Sequence, residues 1–131
     1  MNDAETPRAR VLLIEDDRLV LMTVAGGLRK AGYEVYEASS GEEGLAIAAR
    51  DQPDLALIDV RLPGMSGIEV AGQLAQHSRV PFLFLSAYSD QALVQQATTE
   101  GAMGYLVKPL DIPQIIPAIE AALARGDRKS T

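Results

Sequence analysis

The chain contains no cysteine and a single histidine, so no disulfide staples it and no soft-metal or zinc ligand set is at hand. Long apolar runs are also missing: none approaches the roughly 18 to 20 residues that a membrane helix needs. The first ten residues are too polar for a secretory signal. Positive charge is scarce, with 12 Lys and Arg against 18 Asp and Glu, and the formal net charge of −6 opposes contact with a polyanion. A cytoplasmic protein without membrane or direct nucleic-acid binding is expected. What the chain does have is 131 residues with 47% hydrophobic content, enough for one core. A single domain is expected over residues 9–125, with residues 1–8 and 126–131 as flexible tails.

Five short apolar runs, Val11 to Ile14, Tyr33 to Glu37, Leu55 to Ile58, Pro81 to Leu85 and Met103 to Val107, alternate with five helical segments. This is the pattern of repeated β-α units, and hence of an α/β fold with a parallel sheet. Four runs are nearly continuous in apolar residues, as strands covered on both faces are. Tyr33 to Glu37 alternates and belongs at an edge.

Helix ends are marked by local chemistry. Ser40 with Glu43 forms a candidate capping box, Asp17, Asp90 and Asp111 are candidate N-caps, and Gly32 and Gly101 are placed to end the first and fourth helices. Leu21, Val24, Ala25 and Leu28 form one inward stripe; Ile112, Ile115, Ile116, Ile119, Ala122 and Leu123 form another. Pro117 interrupts the last helical segment and predicts a kink or a later helix start.

In an open parallel sheet of this kind, ligands bind beyond the carboxyl ends of the strands. Glu15, Asp16 and Asp17 follow the first strand, Asp59 the third, Ser86 the fourth, and Lys108 with Pro109 the fifth. At about 4 Å and an effective dielectric near 20, each like-charged pair costs on the order of 4 kcal/mol, so converging acids demand a counter-charge. Lys108 supplies one positive charge, which is too little. Mg2+, which takes oxygen ligands and keeps several waters, suits the remainder. His77 is expected on the exposed end of the third helix, away from this edge.

Four motifs stand in order at strand ends: Glu15-Asp16, Asp59 to Gly67 (Asp-Val-Arg-Leu-Pro-Gly-Met-Ser-Gly), Ser86-Ala87, and Gly101 to Pro109 (Gly-Ala-Met-Gly-Tyr-Leu-Val-Lys-Pro). Together they resemble the receiver domains of bacterial two-component response regulators. The last motif, with Ile115-Ile-Pro-Ala-Ile-Glu120 after it, also resembles the antiterminator-type (ANTAR) group, which adds an RNA-binding helical domain. The resemblance implies a flavodoxin-like (βα)5 fold with strand order 2-1-3-4-5. It implies that Asp59 takes a phosphoryl group from a sensor histidine kinase or phosphotransfer protein, as a carboxylate nucleophile.

Mg2+ would be bound by Asp16 directly, by Glu15 through water, by Asp59, and by the backbone carbonyl of Arg61. Ser86 and Lys108 would contact the phosphoryl group, with Ala87 leaving room for it; Lys108-Pro109 would be a cis peptide and Tyr105 the switch aromatic. Asp17 suits the N-cap of the first helix better than a ligand position. Arg61 and Tyr88, both large, are expected to flank the path of attacking water and prolong the phosphoryl group. Output is expected through the fourth helix, fifth strand and fifth helix, toward a partner, an output domain or a second copy.

Three rival readings fit less well. A phosphatase of the haloacid-dehalogenase type needs an acid two residues after its nucleophile, where this chain has Arg61. An FMN protein needs a phosphate loop after the first strand, where Glu15-Asp16-Asp17 would repel phosphate. A receiver-like binding module that is not phosphorylated would not need Asp59, Ser86 and Lys108 together.

Overall fold

Val11, Leu12, Leu13 and Ile14 have no exposed surface, and neither do Leu55 to Ile58, as strands covered on both faces require. They lie at the centre of the computed structural model of the chain, which describes residues 7–98 and 101–130. The strands are β1 (Arg10–Ile14), β2 (Glu34–Ala38), β3 (Leu55–Asp59), β4 (Phe82–Ser86) and β5 (Tyr105–Val107). The helices are α1 (Arg18–Lys30), α2 (Gly41–Asp51), α3 (Gly67–His77), α4 (Gln91–Thr98) and α5 (Ile112–Ser130), with a 3-10 turn at Tyr88–Asp90 leading into α4.

All pairings are parallel, in the order β2-β1-β3-β4-β5. Alternate residues of β1 point to opposite sides of the sheet and meet different helices. Val11 and Leu13 pack with Leu21, Val24, Ala25 and Leu28 of α1 and Ile115, Ile119 and Ala122 of α5. Leu12 and Ile14 pack with Ile47 and Ala48 of α2, Val70, Ala71 and Leu74 of α3, and Val94 of α4. Both stripes read from sequence therefore face one layer of the core. Burying each such Leu, Ile or Val contributes about 1.5 to 3 kcal/mol, which fixes the register and with it the strand ends. No helix among the described residues is long and apolar enough to cross a membrane.

β2 is an edge strand, as its alternation predicts. β5 is the opposite edge, as the expected strand order has it, but the run at Met103 to Val107 yields a strand only three residues long and incompletely buried. With β4 as its pairing neighbour among the described residues and its other edge open, it is covered less fully than β1 or β3.

Asp17 caps α1, accepting from the N–H groups of Leu19 and Val20 at 3.0 and 3.2 Å, and Asp111 Oδ1 accepts from Gln114 N–H at 2.9 Å. Gly32, with φ of 101°, ends α1, its N–H donating to Arg29 O. The pair at Ser40 is half a capping box: Ser40 Oγ accepts from Glu43 N–H, while Glu43 turns to the N–H and hydroxyl of Ser39. The complete box belongs to Ser66 and Glu69 at the start of α3.

Asp90 does not serve its expected helix as a cap; it closes the 3-10 turn and gives its carboxylate to Arg61, a full charge that outcompetes a backbone N–H. Gly101 has φ of 133°, but residues 99–100, which would join it to α4, lie outside the described residues. α5 starts at Ile112 and runs through Pro117, so the later start is not taken. Arg8, placed by expectation in a loose tail, is held by its N–H to Gly32 O, an ion pair to Glu120 at 2.6 Å and stacking on Tyr33. The backbone of α5 likewise continues past 125.

Candidate functional site

Asp59 is the last residue of a wholly buried strand and is itself only 5% exposed, so its carboxylate is delivered to the carboxyl edge of the sheet with little water around it. The segment after it is pressed back by α3. Gly67 N–H donates to Val60 O at 2.9 Å, and a Cβ on Gly67 would stand 2.0 Å from the carbonyl oxygen of Asp59. Only glycine permits that approach. The role of Gly67 is close packing against the acceptor strand.

Glu15 and Asp16 follow β1, the strand beside β3, with Ile14 opposite Ile58 in register. Glu15, Asp16 and Asp59 each present a carboxylate oxygen within 4.8 Å of the others. Glu15 is fully buried and its Oε2 accepts from Asp17 N–H at 3.0 Å, while Asp16 is exposed. From β5's end, the Lys108 ammonium comes 3.1 Å from Asp59 Oδ2 and 2.9 Å from Glu15 Oε1. Only the contact with Asp59 has hydrogen-bond alignment; Glu15 Oε1 is held by charge without a directed bond. Lys108-Pro109 is a cis peptide.

The electrostatics follow from this crowding. Burial pushes the Glu15 carboxyl up to about 7, helped by the neighbouring Asp59 carboxylate and opposed by the Asp17 N–H and Lys108. Burial works to lower the Lys108 ammonium, but Glu15 and Asp59 together outweigh it and hold the group above its ordinary value. Three carboxylates facing one lysine leave the site short of positive charge. The donors are all oxygen, Asp16 opens to solvent, and no histidine or cysteine stands among them, a set that fits a hard, partly hydrated cation such as Mg2+.

Ser86, at the end of β4, is fully buried, and its Oγ has no hydrogen-bond partner. Such a group is costly unless something comes to meet it. Its backbone oxygen is taken by Lys108 N–H at 2.8 Å, which ties the two strand ends together, and Ala87 beside it is exposed. Tyr105 opens β5 and is 36% exposed. His77 ends α3 in solvent, as expected. The side chain of Tyr88 lies outside the described residues.

Arg61 is placed differently from expectation. Its N–H donates to Asp59 Oδ1 at 3.1 Å, and its guanidinium turns to Asp90, with Nε and Nη2 at 2.8 and 2.7 Å from Oδ1. Asp90 is buried, and Arg61 depresses its carboxyl below the ordinary value against the opposing effect of burial. Sequence reasoning missed this pair. The two residues lie 29 positions apart, so no local spacing in the sequence links them.

A family model of the response regulator receiver domain matches residues 11–120. The chain is 44% identical over 124 residues to the transcriptional regulatory protein PdtaR of Mycobacterium tuberculosis, covering 94% of this chain and 60% of that protein. It is 30% identical to the protein PilH of Pseudomonas aeruginosa, over 88% of this chain and 98% of the relative. The chain thus spans well under two thirds of PdtaR and nearly all of PilH.

Among solved structures, a response regulator receiver domain protein from Clostridium thermocellum superposes with a TM-score of 0.85 at 29% identity, over 91% of this chain and 97% of the other. The signal receiver domain of a modulated diguanylate cyclase from Desulfovibrio desulfuricans G20 gives 0.84 at 32%, over 92% and 98%. With the fold, the strand-end acids and these matches in agreement, the chain belongs to the response regulator receiver domain family.

Proposed function

We propose that the chain is a phosphorylation switch in which Asp59 accepts a phosphoryl group from the phosphohistidine of a sensor kinase or phosphotransfer protein. The observation that carries this reading is the convergence of Glu15, Asp16 and Asp59 within 4.8 Å, with Lys108 bridging two of them. Asp59 Oδ attacks phosphorus, the P–N bond breaks, and the imidazole leaves with the electron pair and takes a proton; an acyl phosphate remains. Glu15, Asp16, Asp59 and the Arg61 carbonyl would hold Mg2+, which supplies charge neutralisation for the phosphoryl oxygens. Lys108 neutralises charge from the β5 side, and its ammonium is kept protonated by the acids it faces. The free Ser86 Oγ is available to donate to a phosphoryl oxygen.

Output runs through α4, β5 and α5, on a partner, an attached domain or a second copy. The antiterminator-like motif at residues 101–109 and the 44% identity with a transcriptional regulator support control of gene expression as that output. The test is labelling with acetyl phosphate and Mg2+, followed by intact mass. Wild type gains one hydroxylamine-labile phosphoryl group; Asp59→Asn gains none. Unchanged wild-type mass, while a control receiver is labelled alongside, removes the reading.

A further inference from the structure

Asp90 is a carboxylate whose side chain is only 3% exposed, at the end of the turn that leads into α4. Among the described residues its ion-pair partner is the Arg61 guanidinium, which is itself 73% exposed, with Lys108 acting on it more weakly through charge alone. The pair is therefore unequal: the anion is fixed by burial, and the cation is free to move. Arg61 is also rooted beside the acceptor, its own N–H bonded to Asp59 Oδ1. One residue thus reads two carboxylates, Asp59 through its backbone and Asp90 through its side chain.

We infer that Asp90 is a positioning residue that competes with the phosphoryl group for Arg61, so that modification of Asp59 is felt at the first turn of α4 through this ion pair. The inference rests on the reading of Asp59 as phosphoacceptor. An acyl phosphate replaces a carboxylate of charge −1 with a group of about −2 whose oxygens project beyond Oδ, toward the space an arginine two residues on can reach. Guanidinium-to-phosphoryl bonds form readily in such geometry. As Arg61 turns to the phosphoryl group, Asp90 is left buried without its partner, a state that the turn at Tyr88–Asp90 relieves by opening. The route is separate from Ser86 and Tyr105: among the described residues neither is hydrogen-bonded or ion-paired to Arg61 or Asp90.

Competition has a signature that a merely structural ion pair lacks: the two partners, when removed, change binding in opposite directions. Beryllofluoride with Mg2+, standing in for the phosphoryl group, is titrated into wild type, Asp90→Asn, Arg61→Gln and the double variant of the whole chain, with binding read from the amide signals of Asp59 and Gly67. Asp90→Asn is expected to tighten binding several-fold by releasing Arg61, Arg61→Gln to weaken it several-fold, and the double variant to match Arg61→Gln. Asp90→Glu, which keeps the charge, should stay near wild type. Weaker or unchanged binding in Asp90→Asn overturns the inference. So does wild-type binding in Arg61→Gln, which remains decisive if Asp90→Asn does not fold. A wild type that binds no beryllofluoride at all refutes instead the reading on which the inference rests, and the two failures are thereby distinct.

Discussion

Glu15 sits between two pressures, burial that favours its protonated form and a cation site that needs it ionised. Its folded value of about 7 lies above the ordinary 4.5, so its contribution to stability is present in full below about pH 4.5 and is lost as pH rises through 7. In chelator, Glu15→Gln should therefore gain on wild type between pH 5 and 8, by on the order of 1 to 3 kcal/mol in thermal or urea unfolding. Added Mg2+ should shrink that gain, since the wild type, with one more carboxylate at the site, recovers more energy from binding it. A wild-type-to-variant difference that is flat with pH in chelator would show that Glu15 is ionised throughout. At this scale Glu15, Asp16, Asp59, Ser86 and Lys108 were legible in sequence because strand ends are legible: an apolar run that stops at a charged residue states where that residue lands. The Arg61–Asp90 pair had no such signal, because it depends on how two loops cross in space.

The start of α1 separates two neighbouring acids by role. Asp17 satisfies the N–H groups of Leu19 and Val20, and Asp16 joins the acidic cluster instead. Asp17→Ala should cost about 1 kcal/mol of stability with little change in Mg2+ affinity. Asp16→Ala should do the reverse, weakening Mg2+ by about tenfold or more, the equivalent of ~1.4 kcal/mol, with stability nearly kept. Paired unfolding and Mg2+ titrations check both, and an Asp17→Ala variant that loses Mg2+ binding while Asp16→Ala keeps it would exchange the assignments. Caps of this kind were readable because they are local. The α3 capping box at Ser66 and Glu69 was not read, because its S-x-x-E spacing follows Pro63 and Gly64, residues that usually mark turns rather than helix starts. β5 came out shorter and more exposed than its apolar run suggested, because such a run states that it is buried on some face but not how long the paired segment is or how fully it is covered.

Across the molecule, the sheet sets Ser86 and Val107 opposite one another in register, with Tyr105 two residues before Val107 on the same short strand. Tyr105 stands partly in solvent, while Ser86 Oγ is buried and unpaired. A buried hydroxyl without a partner costs about 1 to 3 kcal/mol, and a phosphoryl oxygen on Asp59 would recover that by accepting from it. On the proposed switch, Ser86 would move toward Asp59 and leave space beside β5 for the Tyr105 ring to turn into. Because 1.4 kcal/mol is one factor of ten, this contribution shifts the population without completing the transition by itself. The face proposed to change includes Leu93 of α4, exposed at 41%, and α5, whose Arg125 donates to Met103 O just before β5. Beryllofluoride with Mg2+ should thus move the NMR signals of Tyr105 and of the amides at 90–95 and 101–105. In Ser86→Ala, beryllofluoride should still bind, and the Tyr105 response should fall by half or more while that at 90–95 persists through Arg61 and Asp90. A full Tyr105 response in Ser86→Ala would mean that the ring answers to something other than the hydroxyl, and the link between β4 and β5 would have to be sought in the Lys108 N–H to Ser86 O bond instead.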